Sequence, residues 1–288
     1  MQIQKSFQHE KATLFLVSTP IGNLSDMTPR AVETLKSVAL IASEDTRVTK
    51  KLCTHFDIET PLTSYHEHNK NQKTQMIINR LTSGDNIALV SDAGMPLISD
   101  PGDKLVEIAL ENGFAVVPIP GANAVLTALI ASGLPTQPFL FYGFLERQKS
   151  KKKNQLTTLK TIPATLIFYE SPYRLKDTLN AMLEIFGNRQ IVIARELTKI
   201  FEEFLRGSIT EILAYLTEIK GEIVLLVEKA EETNNEEEKP WENLNLHDHV
   251  WHYISTGMKT NMAIKQVATD LELSRQDVYK AYHNEEEL

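Results

Sequence analysis

The stretch NIALVSDAGMPLISDPGDKLVEIALENG, residues 86–113, decides the fold class. Within its first six residues, Ile87 to Val90 are an apolar run with no polar alternation, the pattern of a strand covered on both faces. From Gly102 onward the apolar residues Leu105, Val106, Ile108 and Ala109 recur at helical spacing, and Gly113 closes the helix. Between strand and helix lies a crowded loop that packs Gly94, Pro96, Pro101 and Gly102 around Asp92, Ser99 and Asp100. Such a connection is either a well-capped strand-to-helix link or the wall of a ligand site at the carboxyl end of a sheet.

The same strand–loop–helix unit repeats on either side. Residues 13–18 read as a buried strand that runs into the turn-rich TPIGNL. Thr28 then caps a helix that has Pro29 at its first position. Strands follow at 39–44, 61–66 and 114–121, and helices at 45–56, 71–84 and 122–133. Apolar strands alternating with helices predict an α/β fold with a mainly parallel sheet. Pro135 and Pro138 in LPTQP mark a break. Beyond it, strands at 139–145, 164–170, 189–196, 201–209 and 222–228 are interleaved with helices at 150–160, 173–187 and 210–219. Strands this close together predict a mixed second sheet.

The expected organisation is therefore an α/β domain over 1–134, a second α/β domain over 135–228, an acidic linker over 229–240 and a helical tail over 241–288. In the tail, a short turn at Glu272 and Leu273 precedes Ser274, which caps a second helix. That outline suits a helix-turn-helix unit or a small helical bundle. The final acidic residues, Glu285 to Glu287, are expected to fray.

Composition narrows the function classes. The chain has 288 residues, 42% apolar and 24% charged, with a net charge of −8. This argues against a protein that coats nucleic acid through a generally basic surface. Lys149 and Lys151 to Lys153 form one local basic run, either a solvated stretch or a contact surface. Cys53 is the only cysteine, so no intramolecular disulfide and no cysteine-built metal site is expected. The N-terminal MQIQKSFQHEKATLFLVSTP lacks the apolar core of a signal peptide, and no run is long enough to span a bilayer. A cytoplasmic protein is the expectation.

Four loops sit at predicted strand ends: STPIGNL, SDAGMPLISDPG, PIPGANA and YESPYR. None carries GxGxxG, GxxxxGK[ST], HExxH or GxSxG. A nucleotide phosphate loop, a metal and a serine nucleophile are thus unsupported. What remains is a cleft of main-chain groups and small residues such as Gly22, Gly94, Gly121, Ala122 and Ala124, which let backbone approach a ligand closely. Group transfer from a preactivated cofactor suits such a site, because positioning alone supplies several kcal/mol.

These stretches resemble the tetrapyrrole methylase superfamily, the class III S-adenosylmethionine-dependent methyltransferases. The matching segments are LVSTPIGNLSDMTPRAVETL, IASEDTR, SYHEHN, LVSDAGMPLISDPG, VPIPGANA, SGLP, FYGFLER, FYESPYRL and ARELTKIFEEFLRG. Within that superfamily the likeness is to the bacterial enzymes that methylate a cytidine 2′-hydroxyl of 16S ribosomal RNA. The resemblance implies two α/β domains with S-adenosylmethionine folded between them. It places cofactor contacts at Pro20 and Gly22, at Met95 and Ile98, at Asn123 and Ala124, and at Glu170, Leu197 and Glu222. Asp92, Gly94 and Ser99 are further candidates on the same loop. The superfamily usually has Asp or Thr where Met95 stands, so a main-chain contact is expected there.

The implied reaction moves a sulfonium methyl to a ribose hydroxyl, which gains from a general base. Glu170, Glu196, Glu202 and Asp92 are candidates for that base. Arg195 and Lys199 could position a neighbouring phosphate. The alternative is that the acids of ARELTKIFEEF pair with Arg195, Lys199 and Arg206. Tyr65, His66, His68, Tyr142, Phe144, Arg147, Tyr173 and Arg174 could meet RNA bases, or could be packing. In the tail Lys259, Lys265, Arg275 and Lys280 are balanced by nearby acids. The implied partner is 16S rRNA within an assembled small ribosomal subunit. A homodimer is implied as well, with no membrane and no DNA. Rival readings are methylation of a small tetrapyrrole and a metabolite-sensing helix-turn-helix regulator.

Overall fold

The computed structural model describes residues 3–6, 11–230, 244–271 and 273–284. By internal contacts the chain divides into Met1–Ala230 and Glu231–Leu288. The first unit holds two five-stranded sheets.

The first sheet contains β1 (Thr13–Val17), β2 (Leu40–Ser43), β3 (Leu62–Ser64), β4 (Ile87–Val90) and β5 (Ala115–Ile119). All neighbours are parallel, in the order β3-β2-β4-β1-β5. Successive side chains leave a strand on opposite faces, and both faces here are buried. Leu14, Ile87 and Leu89 pack under α3 (Lys70–Thr82) and α4 (Asp103–Glu111). Val17, Ala88 and Val90 pack under α1 (Pro29–Ser37) and α2 (Thr46–His55). That double burial is why the strands read as unbroken apolar runs.

The Thr28 hydroxyl accepts the Ala31 amide at 3.1 Å, as a cap ahead of Pro29 should. Thr28→Ala is expected to cost about 1 kcal/mol, seen as a lowered urea midpoint at unchanged slope.

The second sheet holds β6 (Phe139–Phe144), β7 (Thr165–Glu170), β8 (Gln190–Arg195), β9 (Glu203–Ser208) and β10 (Ile223–Val227). Its order is β6-β7-β10-β8-β9. β6 and β7 are parallel and the other pairs antiparallel, so the sheet is mixed as expected. One face is covered by α6 (Lys149–Leu159), α7 (Pro172–Phe186) and α8 (Ile209–Tyr215), through Leu156, Leu179, Met182 and Ile212. The other face receives α5 (Ala124–Ser132): Val125, Ala128 and Leu129 pack on Ile167, Val192, Val224 and Leu226. A helix that closes the first series in sequence therefore supports the second sheet in space. The expected break at 134/135 follows this helix directly, and residues on both sides of it belong to the one unit ending at Ala230.

The basic run needs a correction. It is the first turn of α6, and Lys152 is buried at 5% exposure. Its ammonium donates to the Thr178 hydroxyl at 2.8 Å. A solvated stretch describes Lys149 and Lys151 but not Lys152.

The second unit holds α9 (Leu246–Ser255), α10 (Thr260–Asp270) and α11 (Arg275–Asn284) around Val250, Ile264, Val267 and Val278. Ser274 caps α11, its hydroxyl accepting the Asp277 amide at 3.2 Å. Residues 231–240 of the expected linker, Glu272 of the expected turn and Glu285 to Glu287 lie outside the described residues.

Candidate active site

Where the strands of both sheets run out, their loops enclose a cavity of about 440 Å³, within the size range of small-molecule sites. The loops after β1 and β4 are tied by a two-way backbone pair, Thr19 N–H to Gly94 O at 2.9 Å and Gly94 N–H to Thr19 O at 3.0 Å. Gly94 takes φ +80°, and a Cβ there would stand 3.3 Å from Ile21 Cγ2. Side chains with positive φ concentrate on two cavity loops: Leu97 and Ser99 on one, Glu196 and Thr198 on the other. Such backbone costs of order 1 kcal/mol or more per residue and persists where surrounding structure enforces it, characteristically at functional sites.

Most of the expected cofactor residues meet here. Gly94, Met95, Ile98 and Ser99 line the cavity from the loop after β4, and Asn123 and Ala124 from the start of α5. Glu170, Leu197 and Glu222 line it from the second sheet. Ile98 is 40% exposed, so it is not a core residue. Asn123 also caps α5, accepting the Leu126 amide at 2.9 Å. Pro20, Gly22 and Asp92 are not among the lining residues; Ile21, between the first two, is. Gly22 instead admits Lys199, whose Cγ would lie 2.6 Å from an added Cβ. Asp92 is exposed and accepts the Asp45 amide at 3.0 Å.

The catalytic candidates of the 195–202 segment are held differently. Arg195 pairs with Glu203. The Lys199 ammonium bonds Glu196 at 2.9 Å and Glu222 at 2.8 Å. Glu202 accepts the Thr198 amide at 2.6 Å. None of Arg195, Glu196, Lys199 and Glu202 lines the cavity, and their mutual pairing fixes the loop that presents Leu197. The Lys199 ammonium and the Glu222 amide hold the Glu196 carboxyl below the usual carboxylate range.

Glu170 is buried at 4% exposure with both oxygens engaged. Oε1 accepts the Ser171 amide at 2.7 Å and lies 3.5 Å from Arg174 Nε. Oε2 accepts the Thr178 hydroxyl at 2.6 Å. Thr178 in turn receives Lys152, so a buried relay runs from α6 to the cavity wall. Burial pushes the Lys152 ammonium below its ordinary range.

Two titratable lining residues were not among the expected site residues: Asp100 and Tyr169. Burial, with Glu44 and Asp92 nearby, pushes the Asp100 carboxyl up to about 6. Burial and then Asp100 push the Tyr169 phenol up to about 12. Asp100 shares its loop with Asp92, whereas Glu44 comes from the end of β2 and Tyr169 from β7. Of the aromatic residues expected to meet RNA, Phe144 lines the cavity and Tyr173 is 96% exposed. Tyr65 takes the packing alternative: it is 1% exposed, bonded to Thr74 at 3.0 Å, and is core.

A family model described as Tetrapyrrole (Corrin/Porphyrin) Methylases matches residues 13–213. The chain belongs to the tetrapyrrole methylase family. A relative called Ribosomal RNA small subunit methyltransferase I, from Halalkalibacterium halodurans, is 56% identical over 289 residues, covering 99% of this chain and 100% of the relative. The relative of the same name from Bacillus subtilis is 56% identical over 285 residues, covering 97% and 98%. The solved uroporphyrin-III-C-methyltransferase of Thermus thermophilus shares the fold, with a TM-score of 0.55 at 17% identity over 76% of this chain and 95% of that one. In this tetrapyrrole methylase the Met95 side chain keeps a polar role: its Sδ accepts the Asn123 amide nitrogen at 3.3 Å. Sulfur is a weak acceptor, so the contact orients Asn123 without adding charge to the methylase cavity.

Proposed function

We propose that this protein transfers a methyl group from S-adenosylmethionine to a cytidine ribose 2′-hydroxyl of 16S rRNA in the small ribosomal subunit. One observation carries the reading: 56% identity, over 99% of the chain, to a protein named as a small-subunit rRNA methyltransferase. A small tetrapyrrole as acceptor has no comparable support, because likeness to the solved tetrapyrrole enzymes is at the level of fold.

The cavity fits the cofactor. Its wall is mainly apolar, from Ile21, Ile98, Leu197 and Val224, with a few polar groups in fixed places. Carboxylates at Asp100, Glu170 and Glu222 suit a cationic sulfonium. The start of α5 presents backbone N–H groups and the positive end of a helix dipole, which suit a carboxylate. Gly94, Met95, Ile98, Asn123, Ala124 and Leu197 would hold the cofactor, and Glu170 and Glu222 would face it. The bound cofactor supplies a methyl group on a good leaving sulfur. The protein's own groups orient the acceptor and exclude water. Cys53 is buried in the first sheet's core, so no thiol takes part in this reading.

No described helix is long and apolar enough to cross a membrane, in keeping with a cytoplasmic site of action. We place the enzyme in a homodimer, for which the exposed Leu126 and Ile130, one turn apart on α5, give a candidate apolar contact. Incubation with small subunits and methyl-labelled cofactor is expected to label 16S rRNA at a ribose. Binding through phosphates predicts that the affinity falls steeply with salt. Label on a tetrapyrrole precursor and none on RNA would overturn the reading.

A further inference from the structure

We propose that Phe144 is the platform on which the base of the acceptor nucleotide stacks while its ribose hydroxyl is methylated. The inference rests on the reading above and deepens it, by naming a residue that recognises the nucleobase.

The end of β6 is built to put this ring at the cavity. Side chains of β7 alternate: Leu166 and Phe168 lie on the face covered by α6, α7 and α8. Ile167 and Tyr169 lie on the α5 face, where Tyr169 reaches the cavity. β6 begins with the same alternation, Leu140 and Tyr142 on the first face and Phe141 on the second. Continued unbroken, it would send Phe144 under α6, α7 and α8. The register instead slips by one residue. Phe141 stands opposite Ile167, Gly143 opposite Phe168 and Phe144 opposite Tyr169. Such a bulge re-aims a side chain, and bulges gather beside active sites. Gly143 makes the bulge at φ +83°, a conformation that favours glycine. A Cβ there would lie 3.5 Å from Ser99 Oγ, so the end of β6 rests on the loop after β4.

The ring so placed is not covered. Phe144 lines the cavity and is 54% exposed. It touches Tyr169, with ring centroids 5.5 Å apart and planes at 55°. A ring placed for packing alone would be buried, as Phe168 beside it is.

A flat, uncharged partner fits this ring. To bring a ribose hydroxyl into a cavity, a nucleotide has to leave the stack of its strand. Its base then needs a new partner, and RNA-binding proteins hold unstacked bases on aromatic faces. The chain just beyond β6 suits the attached phosphates. Arg147, Lys149 and Lys151 are exposed there, against one exposed acid, Glu146. Phe144 takes no part in bond making; it positions the acceptor.

The test compares Phe144→Ala, Phe144→Leu and Phe144→Tyr with wild type, each as the full chain. Loss of one base stack on an aromatic ring corresponds to a factor of about 5 to 150. The alanine and leucine variants should both lose about that factor in kcat/KM for small subunits. Leucine keeps apolar bulk but has no flat face. Tyrosine keeps the face and should recover most of the rate. Cofactor affinity by calorimetry should be unchanged in all three, and so should the melting temperature, because the ring is half exposed.

A leucine variant equal to the tyrosine one would make Phe144 an apolar packing residue. A parallel loss of cofactor affinity would make it a cofactor contact. Either result overturns the proposal, as does an alanine variant with wild-type activity. Failure of wild type itself to label the RNA would instead overturn the functional reading.

Discussion

Ala124→Phe is expected to abolish cofactor binding while the chain stays folded. Ala124 is the first residue of α5 and forms part of the cavity wall. The cavity measures about 440 Å³, and a phenyl ring at this position projects into it. The helix itself should tolerate the change. Its cap is the Asn123 side chain, and its buried face is Val125, Ala128 and Leu129. The ring therefore competes with the ligand rather than with the core. A loss of at least 100-fold in affinity, about 2.8 kcal/mol, is the expected calorimetric result, with an unchanged circular dichroism spectrum. Ala124→Gly should bind nearly as well as wild type. A phenylalanine variant with undiminished affinity would mean that the cofactor lies elsewhere.

The second large effect is on stability. Thr178 is fully buried, and its single hydroxyl joins two buried charged side chains. It accepts from Lys152 at 2.8 Å and donates to Glu170 at 2.6 Å. Thr178→Val keeps the shape and deletes both bonds. An unsatisfied buried polar group costs about 1–3 kcal/mol, more when it is charged. We expect Thr178→Val to lose about 3 kcal/mol, a fall in melting temperature of about 6–12 °C for a unit of this size. Thr178→Ser retains the hydroxyl and loses only a methyl, so it should cost clearly less. Equal melting temperatures for the valine and serine variants would mean that the relay contributes nothing. The same lesion loosens Glu170 at the cavity wall, so cofactor affinity should weaken in the valine variant and not in the serine one.

Parts of this site were open to reading from the residues because their causes are local. Gly94 was marked by the loop's Gly and Pro spacing, and Asn123 by the family resemblance. Ser274 and Thr28 were legible as caps, because a cap depends on the few residues that follow it. For Arg195, Glu196, Lys199 and Glu202 the sequence left two roles open, catalysis or mutual pairing. In the fold Arg195 takes Glu203, Lys199 joins Glu196 to Glu222, and Glu202 meets a backbone amide. Lys152 looked solvated within a lysine run, yet one turn of α6 faces Thr178 of α7. Tyr65 was open as either a base contact or packing, and it is packing, buried in the core beside α3.

The residues by themselves determined the alternation of strand and helix, a mainly parallel first sheet, a mixed second one and the loops at the strand ends. Hydrophobic period, caps and turn residues act over a few positions, and a chain carries that information in order. Only the tertiary structure decided which carboxylates reach the cavity and how each is held there. The Asp100 carboxyl is raised by burial, by Glu44, which approaches from the end of β2, and by Asp92 at the start of its own loop. Electrostatic environment depends on distance in space, and the spacing of residues along the chain does not carry it.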